Sequence, residues 1–472
     1  MDVAAQVIDV RNPRTGKVDF SFTAATPEDV RRKALELRQG QTVWGALPLE
    51  ERLALMRKWA DSLDAHCAAI IAADSIDTGY GQISRTAPPL LAPTVRSVCD
   101  AAVRQYQDAL RDGPSPFSPD LRYETVLQPI GLVGVISPWN GPVWLALLRS
   151  ILPLAAGCAV LVKPSEVTPR FIAPILESVR AVPELAAVFD FVQGAGPTGA
   201  ALIDNVDFIS FTGSVPTGRK VAEACSRRLI PFEVELGGKD PLIITAGADL
   251  ERAVAAAARG GLRSTGQACF ALERIYVERP IHDEFVAMLA QRCDQVVLNH
   301  HDPMSGHLGP FIFAPQAAIV DSHIDDALAK GAKIVTGGKS FELDGGLYMR
   351  PTVLTQVDHS MTIMRDETFG PVLPVMAYDT PEEAIALAND TIFGLSAAVI
   401  GADVEEACDI ARRINAGNIS VQDACLTFFA APAEADSFGV SGLGGKRSGI
   451  QRFLKRKALL INEGKAACMV NG

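Results

Sequence analysis

The chain has 472 residues, of which 48% are hydrophobic and 21% charged, and its formal net charge is −11 at neutral pH. This composition excludes a disordered chain, because disorder needs low hydrophobicity together with high charge. The length allows about three domains. An acidic surface repels phosphate backbones, so we expect no nucleic-acid partner.

Nine widely spaced cysteines, without any C-x-x-C pair, predict reduced thiols in a cytoplasmic protein and no zinc-ligand pattern. We expect no metal. The N-terminus lacks a basic region followed by an apolar core, which argues against a signal peptide. Residues 143–162 are long enough to span a membrane, but Arg149, Pro153 and Gly157 interrupt the stretch. A buried helix followed by a buried strand explains it better, so we expect no membrane partner.

The first 130 residues read mainly as helix. Residues 12–16 form a turn, and residues 27–112 carry apolar side chains at three- and four-residue spacing. A Gly-Pro-Ser-Pro break follows at residues 113–116, and residues 121–127 have the pattern of an exposed strand.

From Gly131 the pattern changes to strands alternating with helices. Strand-like apolar runs cover residues 132–136, 159–162, 188–192 and 208–211, with helices beginning near Pro142, Pro169, Pro197 and Val215. A second series has strands at residues 242–244, 275–277, 372–376 and 397–400, and helices at residues 253–259, 283–292 and 382–389. Such alternation predicts two doubly wound parallel sheets with right-handed crossovers.

Two glycine loops could hold a nucleotide at the carboxyl ends of these strands. Residues 194–199 match G-x-G-x-x-G, but about three strands precede them, whereas the dinucleotide fingerprint belongs to the first strand. A tight turn is favoured there over a phosphate site. Residues 213–220 nearly match a P-loop, but the lysine is displaced and no Ser or Thr follows it, which argues against a nucleoside triphosphatase. Free backbone N–H groups after Phe211 still suit a pyrophosphate.

Lys163-Pro164-Ser165-Glu166 closes the second strand of the first series. An acidic residue at the end of that strand is where a ribose diol is held in a dinucleotide-binding sheet. On spacing alone, a solvated Lys–Glu pair in a loop explains the segment equally well.

Six motifs, in order along the chain, resemble the aldehyde dehydrogenase superfamily from about Asn12 to about Ile461. They are Pro138-Trp139-Asn140, Lys163-Pro164-Ser165-Glu166, Phe211-Thr212-Gly213-Ser214, Glu235-Leu236-Gly237-Gly238-Lys239, Gly266-Gln267-Ala268-Cys269 and Glu367-Thr368-Phe369-Gly370-Pro371-Val372. The resemblance implies an α/β aldehyde dehydrogenase-like fold: two doubly wound parallel-sheet domains plus a small β oligomerisation element. The corresponding ranges are 1–112 and 128–236 for the NAD(P)-binding domain, 237–447 for the catalytic domain, and 113–127 with 448–466 for the oligomerisation element. A homodimer or homotetramer is expected.

The resemblance also implies NAD(P) bound without the usual glycine fingerprint. Trp139 and Ser214 correspond to pyrophosphate contacts, Lys163 and Glu166 to contacts with the adenine ribose, and Glu367 to the nicotinamide ribose. Because a carboxylate at Glu166 would repel a 2′-phosphate, we predict NAD as cofactor, with NADP possible in principle since some relatives with this glutamate accept it. The complete cofactor set is Ile136, Ser137, Trp139, Lys163, Ser165, Glu166, Gly196, Phe211, Gly213, Ser214, Leu236, Gly237, Glu367 and Phe369.

The catalytic residues implied by the resemblance are Cys269, Glu235 and Asn140. A thiolate converts a flat carbonyl into the tetrahedral alkoxide that hydride transfer requires. The side chain of Asn140 and the backbone N–H of Cys269 would stabilise that alkoxide. Glu235, 34 residues before Cys269, would activate the water that hydrolyses the thioester. Lys239 and Arg274 also stand at motif positions, and we assign them structural roles.

The substrate pocket carried over from the family consists of Gly141, Trp144, Leu145, Leu148, Arg263, Phe270 and Cys425. Glycine at 141 opens space where many relatives carry an aromatic residue, so an aromatic or otherwise bulky aldehyde is predicted. Arg263 replaces an apolar or aromatic residue, and it either pairs with a carboxylate or hydroxyl of the substrate or points outward. The C-terminal loop at residues 425–450 is shortened and shifted relative to the family pattern.

Two other functions stay open at this stage. The first is a coenzyme A-acylating dehydrogenase, which the presence of Glu235 disfavours because such members generally lack this base. The second is a binding protein that kept the fold and lost catalysis, which the presence of Cys269, Glu235 and Asn140 together disfavours.

Overall fold

The structure, a computed structural model, describes residues 6–117, 120–428, 435–444 and 449–464. The strands are β1 (Val7–Arg11), β2 (Val18–Thr23), β3 (Gly113–Pro114), β4 (Leu121–Pro129), β5 (Leu132–Ile136), β6 (Ala159–Lys163), β7 (Phe189–Phe191), β8 (Phe208–Thr212), β9 (Phe232–Glu235), β10 (Asp240–Ile244), β11 (Leu272–Glu278), β12 (Lys333–Thr336), β13 (Phe341–Leu343), β14 (Gly346–Tyr348), β15 (Thr352–Thr355), β16 (Val372–Tyr378), β17 (Ser396–Ile400), β18 (Asn418–Val421), β19 (Gly442–Leu443) and β20 (Leu454–Asn462). The helices are α1 (Pro27–Ala46), α2 (Leu49–Thr78), α3 (Gly81–Thr86), α4 (Leu91–Ala109), α5 (Pro142–Ala156), α6 (Ile172–Arg180), α7 (Pro183–Ala186), α8 (Gly196–Asn205), α9 (Val215–Arg228), α10 (Leu250–Leu262), α11 (Arg279–Asp294), α12 (Ala314–Ala329), α13 (Thr362–Arg365), α14 (Pro381–Asn389) and α15 (Val404–Ala411).

The first large sheet has six strands in the order β19-β9-β8-β5-β6-β7. The four pairings from β9 to β7 are parallel, with Gly134 opposite Leu161 in the centre, whereas β19 runs antiparallel to β9 at the edge. The strands β6 and β8 are buried along their whole length, which explains their uninterrupted apolar sequences. The predicted parallel arrangement of these strands is confirmed.

The N-terminal helices α1, α2 and α4 pack with this sheet in one hydrophobic core that contains Trp44 and Trp59. Helix α1 starts with a capping box in which Thr26 and Asp29 bond each other's backbone, and α2 ends at Gly79 in the left-handed conformation. The apolar stretch at 143–162 is α5 followed by β6, as predicted. Among the described helices, none combines the length and the apolar character needed to cross a bilayer.

The second large sheet has seven strands in the order β12-β15-β16-β11-β10-β17-β18. Its pairings are parallel except at the edge, where β12 runs antiparallel to β15. The four strands predicted from buried apolar runs lie at its centre. The sequence pattern did not reveal the strands β12, β15 and β18, which have only four residues each, or the helices α12 and α15.

A third, antiparallel sheet joins β20, β4 and β3, with Leu454 opposite Pro129 and Asn462 opposite Leu121. This sheet therefore joins strands from the two ranges, 113–127 and 448–466, that the resemblance implies for one element. Strand β19 lies within the range 237–447 expected for the catalytic domain, yet it extends the first sheet. The domain boundaries themselves stay a prediction.

Candidate active site

The two large sheets are joined by the segment from Glu235 to Asp240, and the candidate catalytic residues lie around it. Glu235 ends β9, Gly237 and Gly238 follow, and Asp240 begins β10. A Cβ atom built on Gly238 would stand 2.6 Å from the carbonyl oxygen of Cys269 and 2.6 Å from Oδ1 of Asp240. Only glycine at 238 therefore allows the cysteine loop to pack directly against this connection.

The loop before Cys269 has an unusual backbone that is held on several sides. Ser264, Thr265 and Gly266 are consecutively left-handed, with φ of 57°, 60° and 69°. The side chain of Gln267 accepts a hydrogen bond from the backbone N–H of Ile312 at 3.0 Å and donates to the carbonyl of Pro310 at 3.2 Å. Non-glycine residues in this region cost free energy, and such strain concentrates at functional sites.

Asn140 is tied to the same loop. It precedes helix α5, and its Nδ2 donates to the carbonyl oxygen of Gln267 at 3.0 Å. One hydrogen bond thus links the first sheet to the segment two residues before Cys269. It brings the amide and the cysteine, 129 positions apart in the chain, to one place.

Cys269 is in an environment that favours the neutral thiol. Burial raises the pKa of this thiol to about 12, with further contributions from the carboxyl groups of Glu367, Asp240 and Glu235. The electrostatic contribution of Glu235 means that its carboxyl group lies near the thiol of Cys269. The residues around the sulfur therefore raise the pKa of the thiol and do not depress it.

Glu235 has a cationic partner that the sequence interpretation did not assign to the site. Nη2 of Arg149 lies 3.2 Å from Oε1 of Glu235, and Nη1 lies 3.5 Å from Oε1 of Glu233. Burial lowers the pKa of Arg149, but Glu235 and Glu233 outweigh burial, and the net pKa is raised. Glu233 also pairs with Arg452 and accepts a hydrogen bond from Ser210.

The only sequence signal for this ion pair was a charge inside an apolar stretch. Arg149 lies on α5, whose hydrophobic face packs in the core, so its charge needs a buried partner. In the sequence alone, Arg149 argues only against a membrane span. We call Cys269, Glu235, Asn140 and Arg149 the reactive centre.

The expected cofactor residues lie at the carboxyl ends of the first sheet's strands. Nζ of Lys163 is 3.2 Å from Oε2 of Glu166, and the backbone N–H of Gly213 bonds the carbonyl of Glu235. Two buried hydroxyls at this end, on Ser137 and Thr212, have no hydrogen-bond partner among the described residues. At the same edge stand the half-buried Ile136 and Trp139, the buried Ser165, Phe211 and Leu236, and the exposed Gly196 and Ser214.

The segment from Glu367 to Phe369 approaches this edge from the second sheet. Oε1 of Glu367 accepts a hydrogen bond from the backbone N–H of Gly238 at 3.1 Å, and a Cβ on Gly237 would stand 2.3 Å from the same carboxylate. Burial, followed by the charge of Glu273, raises the pKa of Glu367 to about 8. Phe369 packs edge-on against Trp139, with ring centroids 5.5 Å apart.

Lys239 and Arg274 hold the framework, as the structural roles assigned to them require. Nζ of Lys239 donates to Glu273 at 2.7 Å and to Thr368 at 2.9 Å, and Glu273 in turn accepts from the backbone N–H groups of Thr368 and Phe369. Arg274 donates from Nε to the carbonyl of Lys239.

The expected substrate-wall residues fall into two groups. Gly141, Trp144, Leu145 and Leu148 lie half-buried at the start of α5. A Cβ on Gly141 would meet only Leu145, at an ordinary contact distance of 3.4 Å, so the space beside it is open. The half-buried Phe270 follows Cys269 directly.

The second group surrounds Arg263, which lies immediately after helix α10. Burial raises the pKa of Tyr80 to about 12 and that of Cys425 to about 11, and Arg263 opposes both shifts, so its charge lies beside both side chains. A cavity of about 560 Å³ opens here. We call it the arginine cavity; its lining includes Tyr80, Arg259, Leu262, Arg263, Arg292 and His307.

The charge of the arginine cavity is one-sided. Every ionisable side chain among its described lining residues is basic or a tyrosine, in a protein whose net charge is −11, although Arg259 is paired with Asp423 outside the lining. Tyr80 also borders a cavity of about 10 Å³ whose wall includes Asn140 and Gln267. The arginine cavity and the reactive centre therefore share a neighbouring side chain.

The model of the aldehyde dehydrogenase family matches residues 2–459 of this chain. The chain belongs to the aldehyde dehydrogenase family. Its reaction is the oxidation of an aldehyde to a carboxylic acid. Its fold is that of other aldehyde dehydrogenases, with α/β parallel-sheet domains and small antiparallel sheets, as predicted. The predicted loop changes at 425–450 fall partly on residues 429–434 and 445–448, outside the described residues.

Relatives within the family differ in substrate and cofactor. A Mycobacterium tuberculosis protein named as an NADP(+) succinate-semialdehyde dehydrogenase is 35% identical over 93% of this chain and 85% of its own length. A solved structure described as an Anabaena variabilis aldehyde dehydrogenase has a TM-score of 0.95 and 43% identity, covering 98% of this chain and 99% of its own. The Staphylococcus aureus betaine aldehyde dehydrogenase in complex with NAD+ has a TM-score of 0.92 and 32% identity, covering 98% and 92%.

Proposed function

We propose that this aldehyde dehydrogenase is a hydrolytic enzyme in which Cys269 is the nucleophile, Asn140 stabilises the alkoxide and Glu235 activates water. The observation that carries the proposal is the meeting of three distant segments. Glu235 is close enough to Cys269 to raise the pKa of its thiol, and Asn140 bonds the cysteine loop. A protein with the fold alone would have no need to keep these three groups together.

The proposed chemistry proceeds through a covalent intermediate. Cys269 releases its thiol proton to solvent and its sulfur adds to the aldehyde carbon. The carbonyl π electrons move to oxygen, where Asn140 and the Cys269 backbone N–H stabilise the alkoxide. NAD(P), when bound, supplies the acceptor for the hydride that leaves the same carbon. The alkoxide electrons re-form the C=O bond, so the acyl group is left as a thioester on sulfur. Glu235 then takes a proton from water, the hydroxide adds to the thioester, and the C–S bond breaks to release the acid.

The residues present fit a dinucleotide at the carboxyl edge of the first sheet. The unpartnered buried hydroxyls of Ser137 and Thr212 give that edge polar atoms that need a partner. Glu166 places a negative charge beside Lys163, which opposes the 2′-phosphate of NADP. We therefore infer a preference for NAD over NADP, to be measured as the ratio of kcat/KM for the two cofactors.

Water, rather than coenzyme A, is the proposed acyl acceptor. Glu235 supports this choice because hydrolysis of the thioester needs a base that activates water. Transfer to coenzyme A, which is itself a thiol, does not need a base for that purpose. If coenzyme A were the acceptor, adding it would convert the product from a free acid into a thioester. Product analysis with and without coenzyme A, by mass spectrometry, distinguishes the two.

The proposed substrate is a bulky or aromatic aldehyde that carries an anionic group. Open space beside Gly141 supports bulk, and the basic lining of the arginine cavity around Arg263 supports the anionic group. The M. tuberculosis relative is named for a carboxylated aldehyde, which agrees with this choice.

An aldehyde panel read by NADH formation tests the substrate class, with each carboxylated aldehyde paired with its neutral methyl ester. We expect Arg263→Ala to lower kcat/KM for the carboxylated member by about 10-fold or more, as loss of a charged hydrogen bond does, and to leave the ester unaffected. Equal loss for both members would refute the pairing, while activity on the ester would still support the reaction itself.

We also propose a homo-oligomer that assembles through the third sheet, as a dimer or tetramer. Strands β4 and β20 leave apolar side chains exposed, among them Tyr123, Val126, Leu459 and Leu460. Exposed apolar surface on a paired strand favours burial against another subunit. Light scattering after size-exclusion chromatography measures the mass directly. The free cysteines among the described residues suit a reducing compartment such as the cytoplasm.

A further inference from the structure

Two histidines and an aspartate from separate segments meet outside the reactive centre. His300 and His301 lie in the loop after α11, and Asp344 lies in the turn between β13 and β14. One ligand atom from each of the three side chains lies within 4.8 Å of the other two. We propose that His300, His301 and Asp344 bind one divalent transition-metal ion.

The main chain on both sides of this site is fixed by the N-terminal turn. Arg14 donates to the carbonyl oxygens of Asn299 and His300, both at 2.7 Å, and Arg11 donates to the carbonyl of Gly345 at 3.2 Å. Asp344 is held in the left-handed conformation, with φ of 52°. The ligands are therefore positioned before any ion binds, which reduces the entropic cost of binding.

The histidines also show an unsatisfied polar atom. Nδ1 of His300 is buried and has no hydrogen-bond partner within the described part of the chain. The two imidazole rings lie with their centroids 3.6 Å apart. Burying a ring nitrogen without a hydrogen-bond partner costs free energy, so such an atom calls for an explanation. Metal binding by the two adjacent imidazoles would supply one.

The ligand set selects the kind of ion. Two imidazole nitrogens and one carboxylate oxygen suit Zn²⁺, Co²⁺ or Ni²⁺, with water in the remaining coordination positions. The guanidinium groups of Arg11 and Arg14 bond main-chain carbonyls beside the ligands. Their positive charge opposes an ion that is held by electrostatic attraction alone. Mg²⁺ and Ca²⁺, which prefer oxygen ligands, are therefore disfavoured.

An ion at this site would stabilise the surroundings of the arginine cavity. The same loop receives hydrogen bonds from Tyr80, whose hydroxyl donates to the carbonyl of His307 at 2.6 Å. From the loop, Asn299 donates to the carbonyl of Gly79 at 2.8 Å. Linking the loop to the β13–β14 turn would hold these contacts. None of the three ligands belongs to the proposed catalytic machinery. The metal-site proposal can therefore be tested separately from the catalytic proposal.

Titration of the metal-free full-length protein with Co²⁺ tests the proposal, because the visible absorption of Co²⁺ distinguishes nitrogen and oxygen ligands from thiolates. We expect one equivalent to bind with a nitrogen–oxygen spectrum. His301→Ala and Asp344→Asn should each weaken binding by at least about tenfold. Asparagine tolerates the left-handed conformation, so the second variant keeps the turn.

His282→Ala is the matched control. His282 contacts a carboxylate, that of Asp283 at 2.8 Å, but it does not belong to the group of His300, His301 and Asp344. This variant should leave the affinity unchanged. Binding should also raise the Tm of the parent protein and of this control, and should raise that of Asp344→Asn by less at the same metal concentration. A thiolate spectrum, or equal affinity in all variants, would overturn the proposal.

Discussion

The reactive centre and the arginine cavity lie beside the same loop but are built differently. Around Cys269, a left-handed backbone, the Gln267 hydrogen bonds and the Asn140 amide fix the positions of the reacting groups. Around Arg263, by contrast, about 560 Å³ is open and the charged lining has one sign. Close contacts thus fix the reaction chemistry, whereas the shape and charge of the cavity select the substrate. Single substitutions change the shape and charge of an open cavity more easily than they change a closely packed centre.

The largest effect is expected for the nucleophile. Cys269→Ser should lower kcat by about 10⁴-fold or more, because removal of a covalent nucleophile eliminates the acyl intermediate. Steady-state NADH formation measures it. Cys67→Ser, at a half-buried thiol far away in sequence, is the control and should retain full activity. Substantial activity in the first variant would assign the nucleophile elsewhere.

Asn140 should come next. Asn140→Ala removes one donor to the alkoxide and should lower kcat by about 10²–10³-fold. Because the amide also bonds the carbonyl of Gln267, circular dichroism should confirm that the variant is folded. A loss that appeared only as a raised KM would show that Asn140 binds the substrate and does not stabilise the transition state.

Arg149 tests whether the reactive centre depends on its buried ion pair. Arg149→Met leaves Glu235 and Glu233 without this cation, and should lower the free energy of unfolding by about 3 kcal/mol. Denaturant titration measures the change. Arg149→Lys keeps the charge and should lose less. Equal stability of the Met variant and the parent would mean that Arg452 and Ser210 suffice for Glu233 and that Glu235 needs no cation.

The smallest effect concerns the substrate wall. Gly141→Phe should lower kcat/KM for bulky aldehydes by about 10- to 200-fold while sparing small aliphatic ones, since hydrophobic pockets discriminate within that range. Gly141→Ala is the matched control, because its Cβ fits without a clash. Equal losses for large and small aldehydes would place residue 141 outside the pocket.

The sequence predicted the parts of the molecule in which local pattern and buried position coincide. Buried apolar runs revealed β5, β6 and β8, and the motif order revealed the family. The pattern did not reveal which side chains from distant segments contact each other in the folded protein. Arg149 was visible as a charge in an apolar stretch, but its pairing with Glu235 depends on where the fold places α5 relative to the end of β9.

The metal-binding group was invisible for a similar reason. His300 and His301 are adjacent in sequence, but Asp344 is supplied by a hairpin more than forty positions later, so no ligand spacing exists to be recognised. Likewise, Tyr80 enters the arginine cavity from the end of α2, in a segment where the pattern showed only helix.

The convergence of Cys269 and Glu235 is tested most directly by the mass of a Glu235 variant during turnover. Glu235→Gln, mixed with an aldehyde substrate and NAD, should release a burst of NADH and then accumulate protein heavier by one acyl group. Peptide mapping should locate that group on Cys269. Absence of the burst, or an acyl group on any other cysteine, would contradict the convergence of thiol and carboxylate on which the account rests.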